Sequence, residues 1–176
     1  EKLINSKFLI KKKVDPINDL KSVKNNTEIK NMIEAHIKDG VAVTKFLYWI
    51  KNSNIRKLDE IKVEKKLESF RKQSKSYLFP SFSTIAGSGP NGAIIHYRSN
   101  KKSNRKLNKD HLLLIDSGGQ YKWGTTDITR TVSFSDPSNK NKELYTRVLK
   151  GHIAVAMSKI DKLKNGNNID KLARKS

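Results

Sequence analysis

The amino-acid sequence predicts an α+β fold, with an antiparallel sheet that carries helices on one face. Apolar residues recur at helical spacing up to about residue 70, and helical spacing returns from about residue 144. Between about residues 82 and 134, short runs rich in β-branched and aromatic residues alternate with Gly, Pro, Asn and Ser. This order of elements, in which helices are followed by several strands and then by a helix, is typical of the fold class.

Length and composition indicate one globular domain. The chain has 176 residues, of which 35% are hydrophobic, enough for a modest core. No apolar run approaches the roughly 18 residues that a membrane span requires, so we expect a cytoplasmic protein that does not enter a membrane. The absence of cysteine excludes a disulfide scaffold, a thiolate nucleophile and a thiolate metal site.

The chain is strongly basic, with 37 Lys and Arg against 17 Asp and Glu and a formal net charge of +20. Such charge often neutralises nucleic-acid phosphates. Here the cations are mostly lysine and are scattered over predicted helices and loops, without the arginine forks and interleaved aromatic residues of specific nucleic-acid readers. We therefore interpret them as a solvated surface and do not expect nucleic acid as a partner.

Three amphipathic helices are predicted. The first begins at a cap at Asn26 or Thr27 and ends between residues 49 and 52. A lysine- and glutamate-rich pattern over residues 63–70 predicts a surface helix, and a third helix contains the periodic apolar residues from about residue 144. The apolar face of the first helix is predicted to hold Ile29, Met32, Ile33, His36, Ile37, Val41, Thr44, Leu47 and Tyr48.

Short strands are predicted around Phe82 and Ile85 and over residues 93–97, 112–116 and 127–134. Residues 112–115 are all apolar and show no alternation. We therefore expect the strand that they form to be buried on both faces.

Residues 87–92, Gly-Ser-Gly-Pro-Asn-Gly, match the GxGxxG pattern of dinucleotide-binding proteins. That pattern holds a pyrophosphate only where a strand precedes it and a helix follows. Here Pro90 interrupts the segment and a strand is predicted after it. We interpret the segment as a tight turn that directs the next strand toward a site.

Two carboxylates are the strongest candidates for chemistry. Asp116 ends the apolar run, and alternation places Asp127 and Thr129 on one face of the following strand, so a hairpin can bring both acids together. Hard divalent cations such as Mn²⁺ accept carboxylate oxygens, and a pair of metals requires a bridging carboxylate. The alternative is that one acid pairs with Arg130 or Lys122 while the other caps a turn, and the spacing alone does not decide between the two.

Several motifs together resemble the Xaa-Pro aminopeptidase (aminopeptidase P) family. They are Gly-Pro-Asn-Gly-Ala-Ile-Ile-His-Tyr-Arg at residues 89–98, Leu-Ile-Asp-Ser-Gly-Gly-Gln-Tyr at 114–121, Gly-Thr-Thr-Asp-Ile-Thr-Arg-Thr at 124–131 and Tyr-Thr-Arg-Val-Leu-Lys-Gly-His-Ile-Ala at 145–154. The resemblance starts at about Pro16. It implies that residues 1–15 are the tail of a preceding non-catalytic domain and that residues 16–176 are the N-terminal half of the catalytic domain.

The resemblance implies the N-terminal half of a pita-bread fold and a two-metal hydrolase, usually manganese dependent. Such an enzyme removes an N-terminal residue that precedes proline, by means of a hydroxide activated between two divalent metal ions. In the family, the acid that matches Asp116 chelates one metal ion and the acid that matches Asp127 bridges both. The histidine that matches His96 is catalytic, because it helps to bind the substrate and to stabilise the tetrahedral species.

The family completes its metal site with a histidine and two glutamates that lie C-terminal to the region matched here. The resemblance therefore implies a fragment that binds metal weakly and hydrolyses little alone, with a complementary C-terminal segment or a homodimer as partner. Trp123 is a departure, since many relatives carry Asp there. The alternative function is a non-catalytic binding module derived from the pita-bread fold, whose basic surface receives an acidic partner.

Overall fold

The computed structural model describes residues 13, 15–159 and 165–175, and the predicted tail over residues 1–15 lies mostly outside them. The helices are α1 (Pro16–Ser22), α2 (Asn26–Lys51), α3 (Glu60–Arg71), α4 (Asn139–Ala156) and α5 (Gly166–Ala173). The strands are β1 (Tyr77–Pro80), β2 (Ile85–Ser88), β3 (Leu113–Ser117), β4 (Gly119–Tyr121), β5 (Gly124–Thr125) and β6 (Ile128–Val132). Short 3₁₀ turns cover Ile55–Lys57 and Gly89–Ala93.

The strands form two small antiparallel sheets, in the orders β2-β3-β6 and β1-β4-β5. The α+β class is therefore confirmed, although the single sheet of the prediction is divided into two. The chain leaves the first sheet directly after β3, at Gly118, where an added Cβ would lie 1.9 Å from the carbonyl oxygen of Thr126. Only a residue without a side chain permits this close approach of the two chain segments.

Helix α2 begins slightly earlier than predicted, because its N-cap is Asn25 and not Asn26 or Thr27. The side chain of Asn25 accepts the backbone N–H of Glu28, and the Glu28 carboxylate accepts the backbone N–H of Asn25, so two unpaired donors of the first turn are satisfied. Its predicted apolar face was wrong: Ile37 is 61% exposed, Tyr48 is 74% exposed and His36 is also exposed. The buried residues are Ala35, Asp39, Ala42, Val43, Phe46 and Ile50.

Helix α3 lies at the surface with one side buried, as its amphipathic pattern predicts. Its Val63 and Leu67 are 0% and 1% exposed and pack between α2 and the β2-β3-β6 sheet. The shared core consists of Val43, Phe46, Ile50, Val63, Leu67, Ala86, Leu107, Leu113, Ile115 and Val132. Among the helices of the described residues, we find none with the length and hydropathy to cross a membrane.

Two strand predictions also change. Residues 93–97 do not form a strand, because the backbone turns there: the N–H of Ile94 bonds to the carbonyl of Asn91, and that of Tyr97 to the carbonyl of Ile94. Strand β3 alternates between buried and partly exposed residues instead of being buried on both faces. Its open face carries Leu114 and Asp116.

Candidate metal centre

A cavity of about 300 Å³ collects the three residues that the sequence singled out. His96, Asp116 and Asp127 all line it. The other lining residues are Phe82, Ser83, Ile85 and Arg98. Sequence reasoning did not select Arg98, which lies two residues after His96 and adds a cation to the cavity wall.

Strand register places Asp116 at the cavity. In the β2-β3-β6 sheet, Asp116 lies between Ile85 of β2 and Thr129 of β6. The Thr129 hydroxyl donates a hydrogen bond of 2.9 Å to Oδ1 of Asp116. The predicted alternation of β6 is thus confirmed, since Thr129 shares the open face of the sheet with Asp116.

Asp127 stands immediately before β6, and its carboxyl group lies within hydrogen-bonding reach of the Asp116 carboxyl group. Partial burial and the like charge of Asp116 raise the pKa of Asp127, while the charge of His36 on α2 opposes this shift. Two neighbouring carboxylates repel each other when both are ionised. A cation between them removes that repulsion.

Within the described residues, no Lys or Arg nitrogen lies within 4.0 Å of either carboxylate. Arg130, which could have paired with one of them, instead donates to the backbone carbonyl of Thr129 at 2.7 Å. Paired, hard oxygen donors without a protein counter-ion fit a divalent cation. The same part of the chain contains no group of three or more His, Cys, Asp or Glu residues that could hold a metal ion, so a metal ion at the two acids would need further ligands.

His96 reaches the cavity from a turn and not from a strand. Its backbone has a φ of 55°, in the left-handed region that non-glycine residues seldom adopt. The next residue, Tyr97, is buried, and its hydroxyl donates a 2.7 Å hydrogen bond to the carboxylate of buried Glu60. Glu60 also accepts from the side chain of Asn91 at 3.0 Å and from the backbone N–H of Ser88 at 2.8 Å. This cluster fixes the turn on both sides of His96.

A second buried carboxylate lies behind the two acids. Asp39 of α2 is 0% exposed and forms an ion pair with Arg71 of α3, whose Nε lies 2.6 Å from Oδ1 of Asp39. Sequence reasoning missed this pair. Asp39 lies four residues after Ala35 and four before Val43, in the middle of the buried stripe of α2, but this stripe is not the apolar face that the sequence predicts.

The fold and the adjacent acids define a candidate metallohydrolase, and a family comparison agrees. The chain belongs to metallopeptidase family M24, whose model matches residues 30–176.

Curated relatives within this family are Xaa-Pro aminopeptidases. The chain is 44% identical over 165 residues to the Xaa-Pro aminopeptidase ApepP of Drosophila melanogaster, covering 93% of this chain and 27% of the relative. It is 43% identical over 166 residues to aminopeptidase P2 of Arabidopsis thaliana, covering 92% of this chain and 23% of that protein. The chain thus spans about a quarter of the length of these relatives.

Solved structures of related enzymes share the fold. The X-prolyl aminopeptidase of Caenorhabditis elegans, a cytosolic enzyme with a di-nuclear active site, matches with a TM-score of 0.84 and 33% identity over 92% of this chain and 27% of its own. The prolidase of Pyrococcus furiosus matches with a TM-score of 0.75 and 28% identity, over 91% of this chain and 45% of its own. These likenesses confirm the pita-bread fold that the sequence motifs implied.

Proposed function

We propose that this chain carries part of the active site of an Xaa-Pro aminopeptidase that uses two divalent metal ions, with Mn²⁺ as the working metal. The observation that supports this most directly is that Asp116 and Asp127 line the same cavity, while no Lys or Arg nitrogen of the described residues lies within 4.0 Å of either carboxylate. The substrate is a peptide with proline at its second position. The domain boundary at about Pro16 and a cytosolic location belong to the same proposal.

In this proposal Asp116 would hold one metal ion and Asp127 would be shared by both. When bound, the ions would supply Lewis acidity and make water available as a nucleophile near neutral pH. His96 lines the same cavity, and in this proposal it is the catalytic histidine that helps to bind the peptide substrate and to stabilise the tetrahedral species. A complementary C-terminal segment supplies the remaining ligands, so we expect the 176-residue chain alone to bind metal weakly and to hydrolyse little.

The experiment measures Mn²⁺ binding by calorimetry and cleavage of an Xaa-Pro peptide, with and without the C-terminal half of a related catalytic domain. Asp116→Asn and Asp127→Asn remove the charges but keep the side-chain shapes. The matched control is Asp110→Asn, an exposed acid just ahead of β3 that is not part of the cavity. We expect tight Mn²⁺ binding and cleavage only in the mixture, lost in both site variants and kept in the control.

Two results would contradict the proposal. One is Mn²⁺ binding that survives both site substitutions, which would place the metal elsewhere. The other is an absence of cleavage in a mixture that binds metal. Salt-sensitive binding to an acidic protein, without any response to Mn²⁺, would support the binding-module alternative.

A further inference from the structure

The ion pair of Asp39 and Arg71 is part of a buried hydrogen-bond cluster. Both Asp39 oxygens are used: Oδ1 accepts from Nε of Arg71 at 2.6 Å and from the Tyr121 hydroxyl at 2.9 Å. Oδ2 accepts from Nη2 of Arg71 at 3.0 Å and from the Thr126 hydroxyl at 2.7 Å. Nη2 of Arg71 also donates to Oγ of Ser117 at 3.1 Å. These four donors fully satisfy the carboxylate.

Two members of this cluster are chain neighbours of the candidate metal ligands. Ser117 directly follows Asp116, and Thr126 directly precedes Asp127. Ser117, Tyr121 and Thr126 belong to the segment between the two acids, whereas Asp39 belongs to α2 and Arg71 to α3. The two chain segments that carry the acids are thus tied to one buried carboxylate.

The cluster also holds the backbone between the acids. The Thr126 hydroxyl accepts the N–H of Gly119 at 2.8 Å, and the N–H of Thr126 donates to the carbonyl of Gly119 at 2.9 Å. The Thr126 carbonyl in turn accepts from the Ser81 hydroxyl at 2.8 Å. A change in the Thr126 side chain is therefore transmitted directly to the backbone that leads into Asp127.

We propose that Asp39, held in place by Arg71, is a positioning residue that sets the separation of the Asp116 and Asp127 carboxylates through Ser117 and Thr126. Metal ligands depend on neighbouring groups that orient them, and loss of such a group typically lowers metal affinity about 10- to 100-fold. The inference rests on the proposed function, because it concerns how the same two acids are held for a divalent cation.

A purely structural role for the cluster would predict only a loss of stability. A positioning role predicts in addition that the cation affinity changes when a single hydroxyl is removed from a folded protein. Thr126→Val deletes the hydroxyl with little change in volume, whereas Thr126→Ser keeps the hydroxyl and removes only the methyl group. Thr125→Val is the matched control, because the Thr125 hydroxyl donates to Gln120 at 2.6 Å and lies outside the cluster.

The test titrates the 176-residue chain with Mn²⁺ and follows paramagnetic broadening of assigned backbone amide signals, a readout that detects weak binding and does not depend on activity. In the unchanged chain we expect broadening at Asp116 and Asp127. Thr126→Val is expected to require roughly tenfold more Mn²⁺ for the same broadening, whereas Thr126→Ser and Thr125→Val stay within about twofold.

The outcomes separate this inference from the proposed function. Equal broadening in Thr126→Val and Thr125→Val, with binding still lost in Asp127→Asn, would overturn the positioning role and leave the proposed function intact. Broadening that is absent in the unchanged chain would overturn the positioning role alone, because the proposed function expects tight binding only in the mixture. Broadening that survives in Asp127→Asn would overturn both. If Thr126→Val does not fold, as judged by the loss of a dispersed spectrum, the test uses Ser117→Ala instead. This variant deletes only the hydrogen bond between Ser117 and Arg71, and an unchanged Mn²⁺ affinity there would also overturn the inference.

Discussion

Replacement of Arg71 by methionine tests how the chain tolerates a buried charge. Arg71 and Asp39 are 2% and 0% exposed, so Arg71→Met leaves the carboxylate buried with only the hydroxyls of Tyr121 and Thr126 as donors. Removal of one partner of a buried ion pair costs about 3–5 kcal/mol. Because a domain of this size is stable by only about 5–15 kcal/mol, this single change should remove a large part of the free energy of unfolding.

A double-mutant cycle isolates the contribution of the pair. Asp39→Asn alone leaves the guanidinium without its anion, while the double variant with Arg71→Met leaves no buried charge unpaired. We expect the double variant to be more stable than the sum of the single effects by at least about 2 kcal/mol. Urea unfolding followed by tryptophan fluorescence measures all four proteins.

The control is Arg147→Met on α4, where the partner Glu143 lies one helical turn away and both side chains are 60% exposed. An exposed pair of this kind contributes at most about 0.5 kcal/mol. Additive single effects at Asp39 and Arg71, or a cost for Arg71→Met as small as that of the control, would refute the buried-charge argument.

Three further predictions follow from the same geometry. Burial alone would raise the pKa of Asp39, but the hydrogen bonds and charge of Arg71 hold it below its ordinary 3.8. The ionised Asp39 therefore contributes fully to the free energy of unfolding above about pH 4, and this contribution is lost as the pH falls further. Urea unfolding should show the wild type and Asp39→Asn converging in stability only in that acidic range. Gly118→Ala should displace Thr126 and weaken Mn²⁺ binding in a calorimetric titration, whereas Gly40→Ala, with nothing within 4 Å of the new Cβ, should raise the melting temperature slightly. Leu67→Ala should lower the free energy of unfolding by about 2–5 kcal/mol in urea, because it opens a cavity in the core between α2, α3 and the sheet.

Local signals predicted the main elements and failed where structure depends on distant partners. The start of α2 was predicted to within one or two residues of its N-cap Asn25, and β3 and β6 were predicted from their β-branched and aliphatic runs. In contrast, β4 and β5 are only three and two residues long. They contain Gly119 and Gly124 and pair because they pack against β1 and α2, which no local pattern reveals.

The buried face of α2 could not be read from hydrophobicity alone. The exposed side offers large apolar residues such as Ile33 and Tyr48, while the buried side contains a charged residue, Asp39. Burial of that charge is acceptable only because Arg71, 32 residues further along the chain, supplies the counter-ion. A single sequence gives no indication that these two residues meet.

The candidate site was more predictable than its support. Alternation and the turn residues between the strands were enough to place Asp116 and Asp127 together, because strand periodicity is a local property. The sequence predicted His96 on a strand. The structure places it in a turn, where its backbone φ is 55°, and it lines the cavity from there. That conformation depends on the hydrogen bond between Tyr97 and Glu60, two residues that are 37 positions apart in the sequence.

The carboxylates of this basic chain divide into two kinds, and the division bears on function. Asp39 and Glu60 are fully buried, and each is satisfied by donors of the protein itself. Asp116 and Asp127 lie at the open end of the same scaffold, and a formal net charge of +20 provides no side-chain counter-ion for either within the described residues. Under the proposed function, these two adjacent acids are the part of the scaffold that would receive a cation from outside the chain, since a cation would relieve the repulsion between them.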